Sequence, residues 1–238
     1  MSLRWLTISS VALIAAGLGL LAYYAAHRVD ATLGHRSGIE TFRAAKAAQL
    51  DAPEEATPDT HAETPSDTLA SAAAEPPSVP NVETVAAPDM TLWSEKRIAD
   101  YRRFAAESEN AVPEGILRIR SINLELPVYD NTAEPALTRG AGWIEGTAPL
   151  GLDGNTGIAA HRDGYFRALK DVREGDEIEI ESFWGTDRYR IVDVTIVDPS
   201  DVHVLHDDGR NLVTLVTCYP FYFVGDAPQR YIVQAERL

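Results

Sequence analysis

The chain holds a single cysteine among 238 residues. One thiol excludes a disulfide within the chain and a thiolate metal cluster. Lysine and arginine are missing altogether from Ala47 to Glu95, where ten carboxylates fall between Asp51 and Glu95. That tract carries most of the formal net charge of −15, so the acidity belongs to a tail and not to a catalytic surface. No basic patch occurs elsewhere, which excludes nucleic acid as a partner. Gly151, Gly154 and Gly157 lack the strand–turn–helix setting that phosphate binding needs. His203 and His206, with Asp201, Asp207 and Asp208, have no helical ligand spacing and follow Pro199. They read as solvated turn residues. No metal and no cofactor is expected.

What is present divides the chain into segments. Residues 1–5 are a short N-terminal segment. Leu6 to Ala26 is nearly uncharged and has the length of a bilayer-spanning helix, about 20 residues. Tyr23 and Tyr24 suit an interfacial belt better than a signal-peptidase site, so an uncleaved anchor is expected over 6–26. Residues 27–50 are a juxtamembrane helix segment, with capping-box spacing at Ser37 to Glu40 that predicts a short helix from about 37 to 50. Residues 51–90 are rich in Pro, Ala, Thr, Ser, Asp and Glu. Such a composition cannot bury a core and predicts a disordered linker. Order resumes at 91–238, with an amphipathic helix over 92–108 capped by Ser94. From Pro113 the pattern turns to short alternating strands: Ile116–Ile122, Leu124–Tyr129, Asp176–Phe183 and Arg188–Val197, with one helical turn at Phe166–Leu169. About 125 residues of that kind predict one closed barrel or sandwich over 113–238. The acidic tract has no core pattern, so a fragment from Thr91 is expected to unfold as a longer one from residue 27 does.

Cys218 sits where the apolar run Asn211–Thr217 meets Tyr219-Pro220. Proline cannot extend a ladder, which puts Cys218 at a strand's open end. Most lone cysteines are small buried apolar residues; a nucleophile needs a positive group to favour the thiolate and donors for an oxyanion. A second strand, 229–235, opens with Arg230, and about ten residues join the two, within the range of a long hairpin loop. Antiparallel pairing would bring Cys218 and Arg230 to one rim. A third short apolar run, from Gly157, ends at His161. Three strand ends carrying Cys, His and Arg point to an acyl-transfer site.

These residues resemble the sortase family. Thr214-Leu215-Val216-Thr217-Cys218-Tyr219-Pro220 is similar to its cysteine strand, and Ala160-His161-Arg162-Asp163 followed by Phe166 to Leu169 to its histidine segment. Phe221 through Gly225-Asp226-Ala227-Pro228-Gln229-Arg230 is similar to the loop and arginine of class D sortases and their Gram-negative relatives. Ala160 stands where many relatives have glycine. The resemblance covers roughly 91–238. It implies an eight-stranded β-barrel, preceded by an amphipathic helix, a disordered linker and one transmembrane helix. It implies a membrane-anchored cysteine transpeptidase, with Cys218 as nucleophile, His161 as acid and base, and Arg230 as oxyanion donor. Thr217 would orient substrate, and Tyr219, Phe221, Tyr222 and Phe223 would line a peptide groove. The implied partners are an exported protein with a C-terminal, LPxTG-like sorting signal, an amine acceptor (a cell-wall precursor or a protein amine), and the membrane through the N-terminal helix. Basic residues after 6–26 outnumber the single Arg4 before it, which by charge bias alone would keep the domain in the cytoplasm. The resemblance implies the extracytoplasmic side. Two other readings are an L,D-transpeptidase-like acyltransferase, whose histidine and glycine before the cysteine are replaced here by Val216-Thr217, and a non-enzymatic envelope barrel with an inert cysteine.

Overall fold

The computed structural model describes residues 38–50, 90, 93–107, 111–222 and 225–238. The anchor expected over 6–26 and nearly all of the linker over 51–90 lie outside these residues. Among the described residues, no helix is long and apolar enough to cross a membrane.

Eight strands make the fold: β1 (Gly115–Ile119), β2 (Leu124–Tyr129), β3 (Ala141–Trp143), β4 (Asn155–Ala159), β5 (Glu177–Ser182), β6 (Thr186–Val197), β7 (Leu212–Tyr219) and β8 (Gln229–Arg237). They close into a barrel in the order β1-β2-β3-β4-β7-β8-β6-β5. Closure leaves no sheet edge to pair with another chain. The period-two rule decides which side chains fill it. On β5, Ile178 and Ile180 are buried in the core while Glu177, Glu179 and Glu181 alternate outward. Leu117, Leu126, Val128, Ile158, Val213, Leu215, Val233 and Ala235 complete the same core.

Two local elements differ from the sequence pattern. The run Ile116–Ile122 is not one strand: β1 stops at Ile119, and Arg120–Ile122 is a 3-10 turn closed by Asn123 at φ 50°. Asparagine tolerates that left-handed conformation, which lets the chain reverse directly into β2. The helical turn expected at Phe166–Leu169 is a longer 3-10 segment, Tyr165–Asp171, with Phe166 and Leu169 buried.

Residues 38–50 form a helix, α1. It lies on the outside of the barrel. Ile116 points away from the interior residues Leu117 and Ile119, and would be exposed without a cover. Ile39 and Phe42 of α1 bury it, and Phe183 packs beside them, 4.9 Å from the Phe42 ring. Around this apolar patch runs a charged frame. Arg118 donates to Glu125, Glu179 and Glu181 at 2.7, 2.9 and 3.0 Å, while Lys46 reaches Glu181 at 3.2 Å and Arg43 reaches Glu125 at 3.4 Å. Burial opposes the charge on Glu181, but Arg118 and Lys46 outweigh it and hold its carboxyl below its ordinary value.

Part of the packed apolar surface therefore precedes the acidic tract. A fragment beginning at 91 is expected to melt below a chain beginning at 38, by about 2 kcal/mol, the burial value of one large apolar side chain. The loss cannot exceed the docking energy of α1, since the barrel core does not include it. Thermal unfolding of the two chains checks this; equal melting would show that α1 does not dock. Glu181 contributes above the ordinary carboxylate range, and its contribution is lost as pH falls through its lowered value.

A second helix, α2 (Glu95–Glu107), is capped by Ser94, whose Oγ accepts from the Arg97 N–H at 3.2 Å. It packs against a third, α3 (Glu134–Arg139).

Candidate active site

Register places the site. β7 and β8 pair antiparallel with Cys218 directly opposite Arg230. β4 and β7 pair parallel, with Asn155 opposite Leu212 and Ala159 opposite Val216. The Ala160 N–H continues that ladder by donating to the Val216 carbonyl at 3.3 Å. Carried two residues past Ala159, the register sets His161 level with Cys218. Cysteine and arginine therefore stand side by side on paired strands, about 5 Å apart, and the histidine lies just past the end of the adjacent β4.

They face the outside of the barrel wall. Val213 and Leu215 point into the core, so Thr214, Val216 and Cys218 point out. Cys218 is neither buried nor fully exposed and has no disulfide partner. The 3-10 turn Val202–Leu205 lies over the same outer face, where Gln234 and Asn155 both donate to the Val204 carbonyl at 3.0 Å. A side chain at position 157 would meet Leu205 and Thr147 at 3.0 Å, so glycine there lets the turn lie close to β4.

The histidine is held by its neighbours. Thr217 Oγ1 donates to the Ala160 carbonyl at 2.8 Å. Arg162 Nη2 donates to the Gly225 carbonyl at 2.7 Å, tying the histidine loop to the β7–β8 loop. Asp163 is gripped by α2: its carboxylate accepts from Arg97 at 3.3 Å, and its carbonyl accepts from Trp93 Nε1 at 2.8 Å. Arg97 also lies over the Trp93 ring. On the other side, Glu134 Oε2 lies 3.2 Å from His161 Nε2.

Arg230 is half-buried, and its Nη1 donates to the carbonyls of Ala227 and Gln229 at 3.3 and 3.0 Å. These contacts hold the guanidinium plane. Its Nε and Nη2 are the donors left for a substrate oxygen.

The candidate substrate residues part company. Thr217 is 2% exposed and lies on the face opposite Cys218, with its hydroxyl given to Ala160. That hydrogen bond braces the histidine segment. Thr217→Val keeps the shape but leaves the Ala160 carbonyl without that donor. It is expected to lower turnover and to destabilise by about 1–3 kcal/mol; parallel melting and rate measurements check both. Phe221 is buried in the core, packed edge-on against Tyr231 and Tyr219 at 5.0 and 5.9 Å, so it supports the rim from beneath and does not line a groove. Tyr219 is partly buried in the same cluster. Tyr222 is exposed, with the Arg167 guanidinium 5.4 Å from its ring. Phe223 lies outside the described residues. Ala160 is accommodated where relatives carry glycine, at 6% exposure.

A cavity of about 290 Å³ lies apart from these residues, among Glu114, Asp130, Trp143, Phe183 and Trp184. Its lining contains no thiol, imidazole or cation, so it is not the seat of this chemistry. Among the described residues, no group of three His, Cys, Asp or Glu is placed to hold a metal.

Residues 117–238 match the sortase domain family model. The chain belongs to the sortase family. Sortases are cysteine transpeptidases. The chain is 35% identical to sortase D of Bacillus subtilis over 132 residues, 55% of this chain and 66% of that protein. It is 29% identical to sortase A of Bacillus anthracis over 126 residues, 51% of this chain and 58% of that one. The match thus spans less than two thirds of the length of these relatives. Among solved structures, the crystal structure of sortase C-1 from Actinomyces oris aligns with a TM-score of 0.50 at 29% identity, covering 61% of this chain and 84% of that one. The sortase barrel expected from the cysteine, histidine and arginine segments is the fold observed.

Sequence reasoning missed Glu134 and the α2 grip on Asp163. The Asp130-Asn131-Thr132 turn and Pro135 signal a break followed by a helix start, but nothing in one sequence says that this start lies beside His161.

Proposed function

We propose that this chain is a membrane-anchored cysteine transpeptidase that cleaves an LPxTG-like sorting signal near the C-terminus of an exported protein. The observation that carries the reading is Cys218 directly opposite Arg230 across β7 and β8, with His161 just past the end of β4, the strand paired with β7. The Cys218 thiolate adds to the peptide carbonyl. Arg230 donates to the oxygen that becomes negative. His161 as imidazolium gives its proton to the leaving amine as the C–N bond breaks, leaving a thioester on Cys218. The neutral imidazole then takes a proton from an incoming amine, which attacks the thioester and releases the thiolate. The amine belongs to a cell-wall precursor or a protein. The apolar 6–26 span holds the enzyme in the membrane, with the barrel on the extracytoplasmic side. Tyr219 and Tyr222 border the peptide.

The rival reading, an inert envelope scaffold, requires a thiol closed to solvent, whereas Cys218 is half-buried on an outer face. Thiol labelling of the folded chain separates the two. An active site labels natively and is protected by a sorting-signal peptide. Labelling only after unfolding would sink the enzymatic reading.

A further inference from the structure

We propose that Glu134 is a positioning residue for His161: its carboxylate accepts a hydrogen bond from Nε2–H and so fixes the ring with Nδ1 as the nitrogen that works with Cys218. The inference rests on the transpeptidase reading above.

Nε2 and Oε2 are 3.2 Å apart, within hydrogen-bond range. An ionised carboxylate can only accept, so the ring nitrogen facing it carries a hydrogen. The other nitrogen is then the one that exchanges a proton during the reaction. Imidazole chemistry depends on which nitrogen is held by a second group. The bond from His161 holds the Glu134 carboxyl below its ordinary value, partial burial opposing it, so the acceptor form prevails at neutral pH.

Glu134 is placed by its backbone. It is the first residue of α3, with Pro135 following. The turn before it is closed by Asn131, whose Oδ1 accepts from the Ala133 N–H at 2.9 Å. That turn presses on β3 so closely that a side chain at position 142 would meet the Asn131 carbonyl at 2.1 Å. The far end of the helix is sunk into the protein at Ala136, Thr138 and Arg139. The short helix therefore cannot swing away without moving β3. The other charged groups around His161 are committed elsewhere: Asp163 to Arg97, Asp100 to Lys96 and Arg103, and Arg162 to the Gly225 carbonyl. Cys218 and Arg230 stand on the reacting side. As an orienting carboxylate, Glu134 would complete a Cys–His–Glu arrangement of the kind that orients a base in other nucleophilic sites.

The test uses the full chain, with Glu134→Ala and Glu134→Gln. Glutamine keeps an acceptor oxygen but no charge; alanine keeps neither. Nitrogen-15 spectra of histidine-labelled protein at neutral-to-alkaline pH report which ring nitrogen is protonated, and a His161→Gln spectrum assigns the signal. The wild type is expected to show the Nε2–H form, Glu134→Ala a mixture, and Glu134→Gln mostly the wild-type form. Turnover on a sorting-signal peptide should fall about tenfold in Glu134→Ala with KM little changed, the low end for an orienting partner of a functional histidine because Glu134 is half exposed. Glutamine should recover most of that loss. An unchanged tautomer signal in Glu134→Ala overturns the proposal, as does a Glu134→Gln variant no better than Glu134→Ala. The spectra need no substrate. If they behave as expected while the wild type transfers no peptide, the transpeptidase reading fails and the Glu134–His161 contact stands.

Discussion

Cys218→Ala is expected to abolish peptide cleavage and transfer while the melting temperature stays within about a degree or two of the wild type. The first half follows from chemistry. Covalent catalysis splits amide cleavage through a thioester, and alanine has no atom that can form one. His161 and Arg230 would remain, yet neither could attack the carbonyl. The second half follows from position. Cys218 lies at the end of β7 on the outer face of the barrel and is absent from the buried core cluster. Removing a sulfur from such a rim leaves no closed cavity, so the heavy penalty of a core truncation does not apply. Steady-state cleavage of a cognate peptide and a thermal scan measure both halves. Substantial residual activity would remove Cys218 from the mechanism.

Arg230→Lys is expected to reduce turnover by roughly two to three orders of magnitude, the typical effect of losing one oxyanion donor, about 2.7–4 kcal/mol. Both side chains are cationic, so a role in charge alone would survive the exchange. Geometry would not. The guanidinium is planar, and Nη1 is fixed on the carbonyls of Ala227 and Gln229. Nε and Nη2 are then the donors for a substrate oxygen, on the residue directly opposite Cys218. A lysine ammonium is a compact, strongly hydrated point charge that cannot hold the loop carbonyls and a substrate oxygen in one plane. The loss should appear in kcat and leave KM largely unchanged, because the oxyanion exists only beyond the ground state. Retention of activity within a few-fold would mean that Arg230 supplies charge, or that other donors form the hole.

The parts of this site legible in the sequence were those marked by punctuation. Pro220 ends β7, so the open end beside Cys218 could be read from one proline. Arg230 opens the next apolar run, so an antiparallel hairpin put it opposite the cysteine. His161 closes a third apolar run, which the structure pairs with β7 as β4. Glu134 was not legible, because its approach depends on how α3 lies over β3, a relation between segments with no shared local pattern. The bond from the Thr217 hydroxyl to the Ala160 carbonyl was not legible for a related reason. Alternation along β7 places Thr217 on the inner face, but without the register its hydroxyl could have faced either way. The α1 docking failed differently. The acidic tract after residue 50 looks like the end of an independent segment, and nothing local shows that Phe42 belongs over Ile116. Long-range apolar contacts of this kind carry no sequence signature beyond an apolar residue at a helical position.

Intact-mass analysis of the chain mixed with an LPxTG-type peptide tests the central claim most directly. The account predicts a covalent adduct with the mass of the acyl fragment, mapped to Cys218, absent from Cys218→Ala, and discharged when an amine is added. Cleavage of that peptide without any adduct on Cys218, or an adduct that persists in Cys218→Ala, would contradict it.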